Sequence, residues 1–186
     1  KLDTNAGTNL NNCKPAVNPD TGTIYFVANN RDSNDYKLYA VSSGGKLQWA
    51  VNVFWSEAPP AIAKDGTIYV SAVDLSVDVK TKPTSGGGRG NGELIAINTD
   101  GSIKWSYNIP PQLVCKQGQD EDCPNSDIYS RANSIDGPPT IGADGTIYFG
   151  TDAQRYFALN PDGTVKWIYH DPDEWDNSAM IAPDGT

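Results

Sequence analysis

The feature that most restricts this chain is a phrase it repeats. "GTIY" occurs at 22–25, 66–69 and 145–148, and a shortened "GT" stands at 185–186. The glycine of each copy serves as a marker: Gly22, Gly66, Gly145 and Gly185. A second phrase follows each of the first three, "KLYAVSSGGKLQW" at 37–49, "ELIAINTDGSIKW" at 93–105 and "YFALNPDGTVKW" at 156–167. In every one an alanine (Ala40, Ala96, Ala158) precedes a tryptophan (Trp49, Trp105, Trp167) by nine residues. The other intervals are elastic. Marker to alanine is 18, 30 and 13 residues, and tryptophan to the next marker is 17, 40 and 18. Constant cores with variable connectors describe equal units joined by unequal loops.

Each unit reads as strands. "TIYFV", "TIYVS" and "TIYFG" are β-branched and aromatic and follow a turn glycine. "LYAV", "LIAI" and "YFAL" are short and apolar, as strands covered on both faces should be. "GG" or "DG" then turns the chain into "KLQW", "SIKW" and "TVKW". An apolar stretch also precedes each marker: "PAV" at 15–17, "PAI" at 60–62, "PTI" at 139–141 and "AMI" at 179–181. Four short strands in about forty residues are the signature of a propeller blade. The expectation is an all-β propeller of four-stranded antiparallel blades, three of them complete, with the first strand of a fourth. Residues 1–14 are an N-terminal extension or a strand closing a neighbouring blade. The units span 15–57, 58–136, 137–176 and 177–186. The second carries insertions at 74–92 and 110–136. The Gly-rich 86–92 lacks the Gly-Lys-Ser/Thr and the helix of a phosphate-binding loop.

The chain has 186 residues, and closed rings have about four to eight blades at ~40 residues each. A seven- or eight-bladed ring therefore needs roughly 280–320 residues. The stop at Thr186, just before an expected strand, points to a fragment or partial chain, with assembly from several copies as the alternative. Open blade faces at either end would expose apolar surface that further blades, of its own chain or of other copies, should cover.

Composition narrows the functions. A net charge of −9 argues against a phosphate backbone as partner, so no nucleic acid is expected. His170 is the single histidine, which excludes multi-histidine metal sites. No apolar run is long enough for a membrane-spanning helix. Cys115 and Cys123 bracket the polar segment "CKQGQDEDC", a spacing that suits a small loop closed by a disulfide in an oxidising compartment. Two separate surface thiols are the alternative. Cys13 is left without an assigned partner.

The phrases "AVSSGGKLQW", "AINTDGSIKW", "ALNPDGTVKW" and "PAIAKDGTIYV" resemble the PQQ-like β-propeller repeat family, the quinoprotein-dehydrogenase-like superfamily. The resemblance covers about 15–186. It implies an alanine, a turn with glycine and a tryptophan in each repeat, with Trp49, Trp105 and Trp167 docking between blades; Gly22, Gly66 and Gly145 are turn residues by their own chemistry, since glycine takes positive φ freely. Members of the family include quinone-dependent dehydrogenases, a lipoprotein scaffold of the outer-membrane β-barrel assembly machine, and secreted or surface proteins without cofactor. The dehydrogenases hold their quinone with adjacent cysteines, a tryptophan floor and a calcium site of Glu, Asn and Asp. Cys115 and Cys123 are not adjacent, and no matching calcium constellation can be assigned here.

Some residues invite a site. Asp171, Asp173, Glu174 and Asp176 in "HDPDEWD" offer hard oxygens for calcium, but the spacing and glycine of an EF-hand are missing, and a solvated acidic loop is the plainer reading. "QDEDC" at 119–123 invites the same two readings. Trp55 and Trp175 lie outside the repeated tryptophan position. Packing on a neighbouring blade is expected of them, with stacking on a sugar or a partner as the alternative. No catalytic residue is nominated and no cofactor expected. The function expected is a non-catalytic, extracytoplasmic scaffold or binding module that engages a protein partner through the loops 74–92 and 110–136. A fragment of a PQQ-dependent dehydrogenase, with PQQ or calcium bound, is the first alternative. A carbohydrate-binding or carbohydrate-active propeller is the second.

Overall fold

The computed structural model describes residues 14–30, 35–56, 58–74, 91–110, 113–114, 129–130, 135, 137–151, 155–170 and 179–181. They contain strands and turns and no helix. Blade 1 is an antiparallel sheet of β1 (Ala16–Val17), β2 (Ile24–Asn30), β3 (Asp35–Val41) and β4 (Leu47–Asn52). Blade 2 repeats it with β5 (Ala61–Ile62), β6 (Ile68–Asp74), β7 (Asn91–Ile97) and β8 (Ile103–Asn108). A two-stranded hairpin follows, β9 (Leu113–Val114) with β10 (Tyr129–Ser130). Blade 3 comprises β11 (Thr140–Ile141), β12 (Ile147–Thr151), β13 (Arg155–Leu159) and β14 (Val165–His170). The fold is that of a β-propeller with three four-stranded blades. The short first strands β1, β5 and β11 neighbour one another, which makes them the inner edge of the arc.

Three details differ from the expected boundaries. β6 and β7 take in Asp74 and Asn91–Gly92, so the connection expected over 74–92 narrows to 75–90. Ladder pairing continues because Asp74 still finds Asn91 opposite. The 110–136 insertion is not loop alone, since it contributes β9 and β10. Residues 179–181, expected as the first strand of a fourth blade, form no ladder with the described residues. Ala179 nonetheless lies beside blade 3, where its carbonyl accepts a 2.7 Å hydrogen bond from the Thr140 hydroxyl.

Strand alternation gives each sheet two apolar faces, and each is used against a different neighbour. Tyr25, Val27, Leu38 and Ala40 of blade 1 pack with Ile68, Val70, Ala72, Ile95 and Ile97 of blade 2. The opposite face of blade 2, through Tyr69, Leu94 and Ala96, packs with Ile147, Phe149, Phe157 and Leu159 of blade 3. This explains the near-continuous apolar runs: β7 is buried on both sides from Gly92 to Ile97.

Candidate functional site

The fixed interval of nine residues has a geometric cause. Ala40 and Trp49, Ala96 and Trp105, and Ala158 and Trp167 are directly opposite across the third and fourth strands, with a register shift just beyond each alanine. The tyrosine of each "GTIY" stands opposite the same alanine on its other side. Tyrosine and tryptophan then meet over the alanine, with ring centroids 5.8, 5.7 and 5.8 Å apart in the three blades. Each alanine is fully buried. A larger side chain at its place would drive the two rings apart, which is why the middle of each row is small.

Each indole also reaches the next blade. Trp49 donates its Nε1–H to the Thr99 carbonyl at 2.8 Å, and Trp105 donates to the Pro161 carbonyl at 2.9 Å. Both carbonyls sit in the turn between third and fourth strands of the following blade. The glycine that ends that turn has φ of 89° at Gly101 and 86° at Gly163. A Cβ there would stand 2.8 Å from the indole, on Trp49 at Gly101 and on Trp105 at Gly163. The ring therefore lies flat against a backbone that only glycine supplies. Sequence reasoning singled out Gly22, Gly66 and Gly145, which adopt positive φ in the first turn of each blade. It read the glycines of the later turn, Gly101 and Gly163 among them, as turn residues only, without the indole of the preceding blade that lies against each.

Among the described residues two halves of this joint are open. At Gly45, the equivalent glycine of blade 1 (φ 79°), an added Cβ would meet nothing within 4 Å. At the other end Trp167 is 42% exposed, and its indole N–H has no partner among the described residues. Tyr169, on the same strand, is exposed too. The arc presents a tryptophan at one end and a glycine turn at the other.

The "DGT" turns add a second recurring device. Asp144 accepts the Thr146 backbone N–H at 3.0 Å and its hydroxyl at 2.8 Å, and Lys166 reaches Asp144 at 3.1 Å and Thr146 at 2.9 Å. Asp65, Thr67 and Lys104 repeat the arrangement in blade 2. Hydrogen bonds from Thr146, first from its backbone, lower the Asp144 pKa to about 2. Blade 1 has Thr21 for the aspartate and Gln48 for the lysine, and there the Thr21 hydroxyl takes the Thr23 N–H.

Topology sorts the connections. In each four-stranded meander the first-to-second and third-to-fourth turns lie at one rim. The second-to-third connection and the exit to the next blade lie at the other. Among the described residues the first rim is made of these tight turns. The second receives the 75–90 connection, the 109–139 exit of blade 2 that includes β9 and β10, and the exit of blade 3 after His170. At that rim Ser71 donates to the Gly137 carbonyl at 3.2 Å, and Arg155 donates to the Pro110 carbonyl at 2.6 Å while its guanidinium lies 5.2 Å from the Phe157 ring centre. Trp55 is half-buried there, bridged to Val73 of blade 2 and packed on the blade 1–blade 2 core. This is the blade packing expected of it. Asp171, Asp173, Glu174, Asp176, Trp175, Cys13, Cys115, Cys123 and "QDEDC" lie outside the described residues. Among the described residues no three His, Cys, Asp or Glu side chains gather. Among the described residues there is no helix long and apolar enough to cross a membrane.

The chain matches no family model and no curated protein. Solved structures do resemble it. A protein of unknown function from Bacteroides caccae superposes with a TM-score of 0.53 at 12% identity, over 93% of this chain and 50% of that one. BamB from Moraxella catarrhalis superposes with a TM-score of 0.50 at 16% identity, over 84% of this chain and 35% of its own. The chain thus spans half of one neighbour and about a third of the other. At these identities the likeness establishes the propeller-like fold.

Proposed function

We propose that this chain belongs to a non-catalytic, extracytoplasmic β-propeller scaffold that binds a protein partner at the rim of its long connections. The observation that carries the reading is the segregation of the loops. One rim is built from tight turns, while both long connections begin and end at the other. A rigid sheet scaffold with elaborated loops at one end is the usual arrangement for recognition. The extracytoplasmic location rests on the Cys115–Cys123 spacing. BamB is one of the solved propellers that resemble the chain, which agrees with a scaffold role without assigning its partners.

The open tryptophan and open glycine turn form a second binding element, complementary to further blades of its own or another polypeptide. Covering them would repeat the joints made by Trp49 and Trp105. Chemical cross-linking and affinity capture from extracytoplasmic extract test the rim, using the intact chain and a version with 75–90 and 111–134 replaced by short Gly/Ser linkers. Loss of the captured partner is expected, and undiminished recovery refutes the rim as the binding surface.

A further inference from the structure

The two half-joints at the ends of the arc are complementary to each other. The half at blade 3 is an indole. Tyr148 supports Trp167 with ring centroids 5.8 Å apart, as Tyr25 supports Trp49 and Tyr69 supports Trp105. Trp167 is nonetheless exposed where Trp49 and Trp105 are half-buried. The half at blade 1 is a turn. Gly45 donates its N–H to the Ser42 carbonyl at 2.8 Å, and Ser42 donates to the Lys46 carbonyl at 2.9 Å. Gly101 with Asn98, and Gly163 with Asn160, close their turns by the same pair of bonds. In those two turns the residue two places before the glycine supplies the carbonyl that an indole takes. Ser43 stands at that place in blade 1. The acceptor turn is already formed, and the space over Gly45 that a ring would fill is open among the described residues.

The sheets behind the two halves agree with this pairing. Phe26 and Tyr39 stack at 5.4 Å on the outer face of blade 1, as Phe149 and Phe157 stack at 5.1 Å on the corresponding face of blade 3. The blade 3 pair is fully buried against blade 2, whereas Phe26 and Tyr39 are half-buried. Twice within the chain, a face of this kind is covered by a neighbour's tryptophan-bearing face.

We propose that the Trp167 face of one copy docks on the Gly45 turn of a second copy, head to tail, and repeats the joints made by Trp49 and Trp105. This rests on the second binding element of the scaffold reading above and names its occupant. One polypeptide carries both halves, so a second copy supplies what the first leaves open. Three blades and three make six, within the range of about four to eight found in closed propellers. β1 lies beside β5 and β5 beside β11, so the incoming β1 comes to lie beside β11. There the Thr140 hydroxyl holds the Ala179 carbonyl, and residues 179–181 give up that place.

Sedimentation equilibrium of the 186-residue chain, at concentrations up to about 1 mM, reads the association. The mass is expected to rise from 20.0 kDa towards twice that value. Trp167→Ala removes the ring and should weaken association about tenfold or more. Gly45→Ala places a methyl group where the incoming indole lies, a 2.8 Å approach in both internal joints, and should weaken it by a similar factor. In a dilute single copy that methyl group meets no described residue, so this variant keeps the test if Trp167→Ala does not fold by circular dichroism. Mixing the two variants leaves one native joint between unlike copies and should restore association. The version with 75–90 and 111–134 replaced by linkers should associate as the parent does. A chain that stays single but captures its partner through those loops refutes the joint and keeps the rim; association with loop-independent capture does the reverse. A single copy at every concentration overturns the proposal, and residues 1–13 over Gly45 or 171–178 over Trp167 would give that result. Association unchanged in Gly45→Ala overturns it equally, since two Trp167 faces would then be meeting each other.

Discussion

Replacing one glycine at three equivalent places isolates what the blade joint contributes. Gly45, Gly101 and Gly163 occupy the same position in the third-to-fourth-strand turn, with φ of 79°, 89° and 86°. Alanine at any of them meets the same left-handed strain, about 1–2 kcal/mol. At Gly45 nothing else happens, because no atom of the described residues lies within 4 Å of the new methyl group. At Gly101 it would stand 2.8 and 3.0 Å from the Trp49 ring, and at Gly163 2.8 and 3.0 Å from the Trp105 ring. Neither indole can slide away freely, since each is tied by its N–H to a carbonyl of the same turn. Overpacking of this kind costs about 1–3 kcal/mol. Gly101→Ala and Gly163→Ala should therefore lose about 1–3 kcal/mol more than Gly45→Ala. Urea unfolding of the three variants beside the parent chain, monitored by tryptophan fluorescence and compared at a common m-value, measures the difference. Equal losses at all three positions would show that backbone strain is the whole effect and that the indole does not bear on the turn.

Other consequences are as direct. Trp105→Phe removes the hydrogen bond to Pro161 and some packing, and should destabilise the chain by about 1–2 kcal/mol in chemical denaturation, whereas Trp167→Phe should change it by well under that amount. Ala96→Leu forces the Tyr69 and Trp105 rings apart and should cost at least about 1–3 kcal/mol, with an altered near-ultraviolet circular dichroism spectrum. The lowered pKa of Asp144 has a definite sign. Its ionised form is favoured in the folded chain, so the stabilisation is present above its ordinary value of 3.8 and disappears as pH falls through about 2. Carboxyl NMR titration should show that midpoint, and Lys166→Gln should move it upward; an unmoved midpoint would remove the lysine from the account.

Much of the fold was legible because its periodicities are local. Strand pairs in a meander are joined by tight turns, so each keeps its spacing in the chain. The alanine–tryptophan interval is a cross-strand pair and therefore constant. The turn glycines Gly22, Gly66 and Gly145 announce themselves beside β-branched runs. The candidate site was less legible. Gly101 and Gly163 are explained by rings from another blade, 52 and 58 residues earlier in the chain. Lys104 and Lys166 read as ordinary strand lysines until the strand order sets each beside the aspartate of its own blade's first turn.

The sequence by itself determined the four-stranded unit, its number of complete copies and the small residue at the centre of each aromatic row. These follow from contacts between strands that are neighbours in the chain. Tertiary structure decided which face of each blade meets which neighbour, that the long connections share one rim, and where a joint is left half-made. Those outcomes depend on one sheet lying against another, and a surface buried in that way is defined only after both sheets exist.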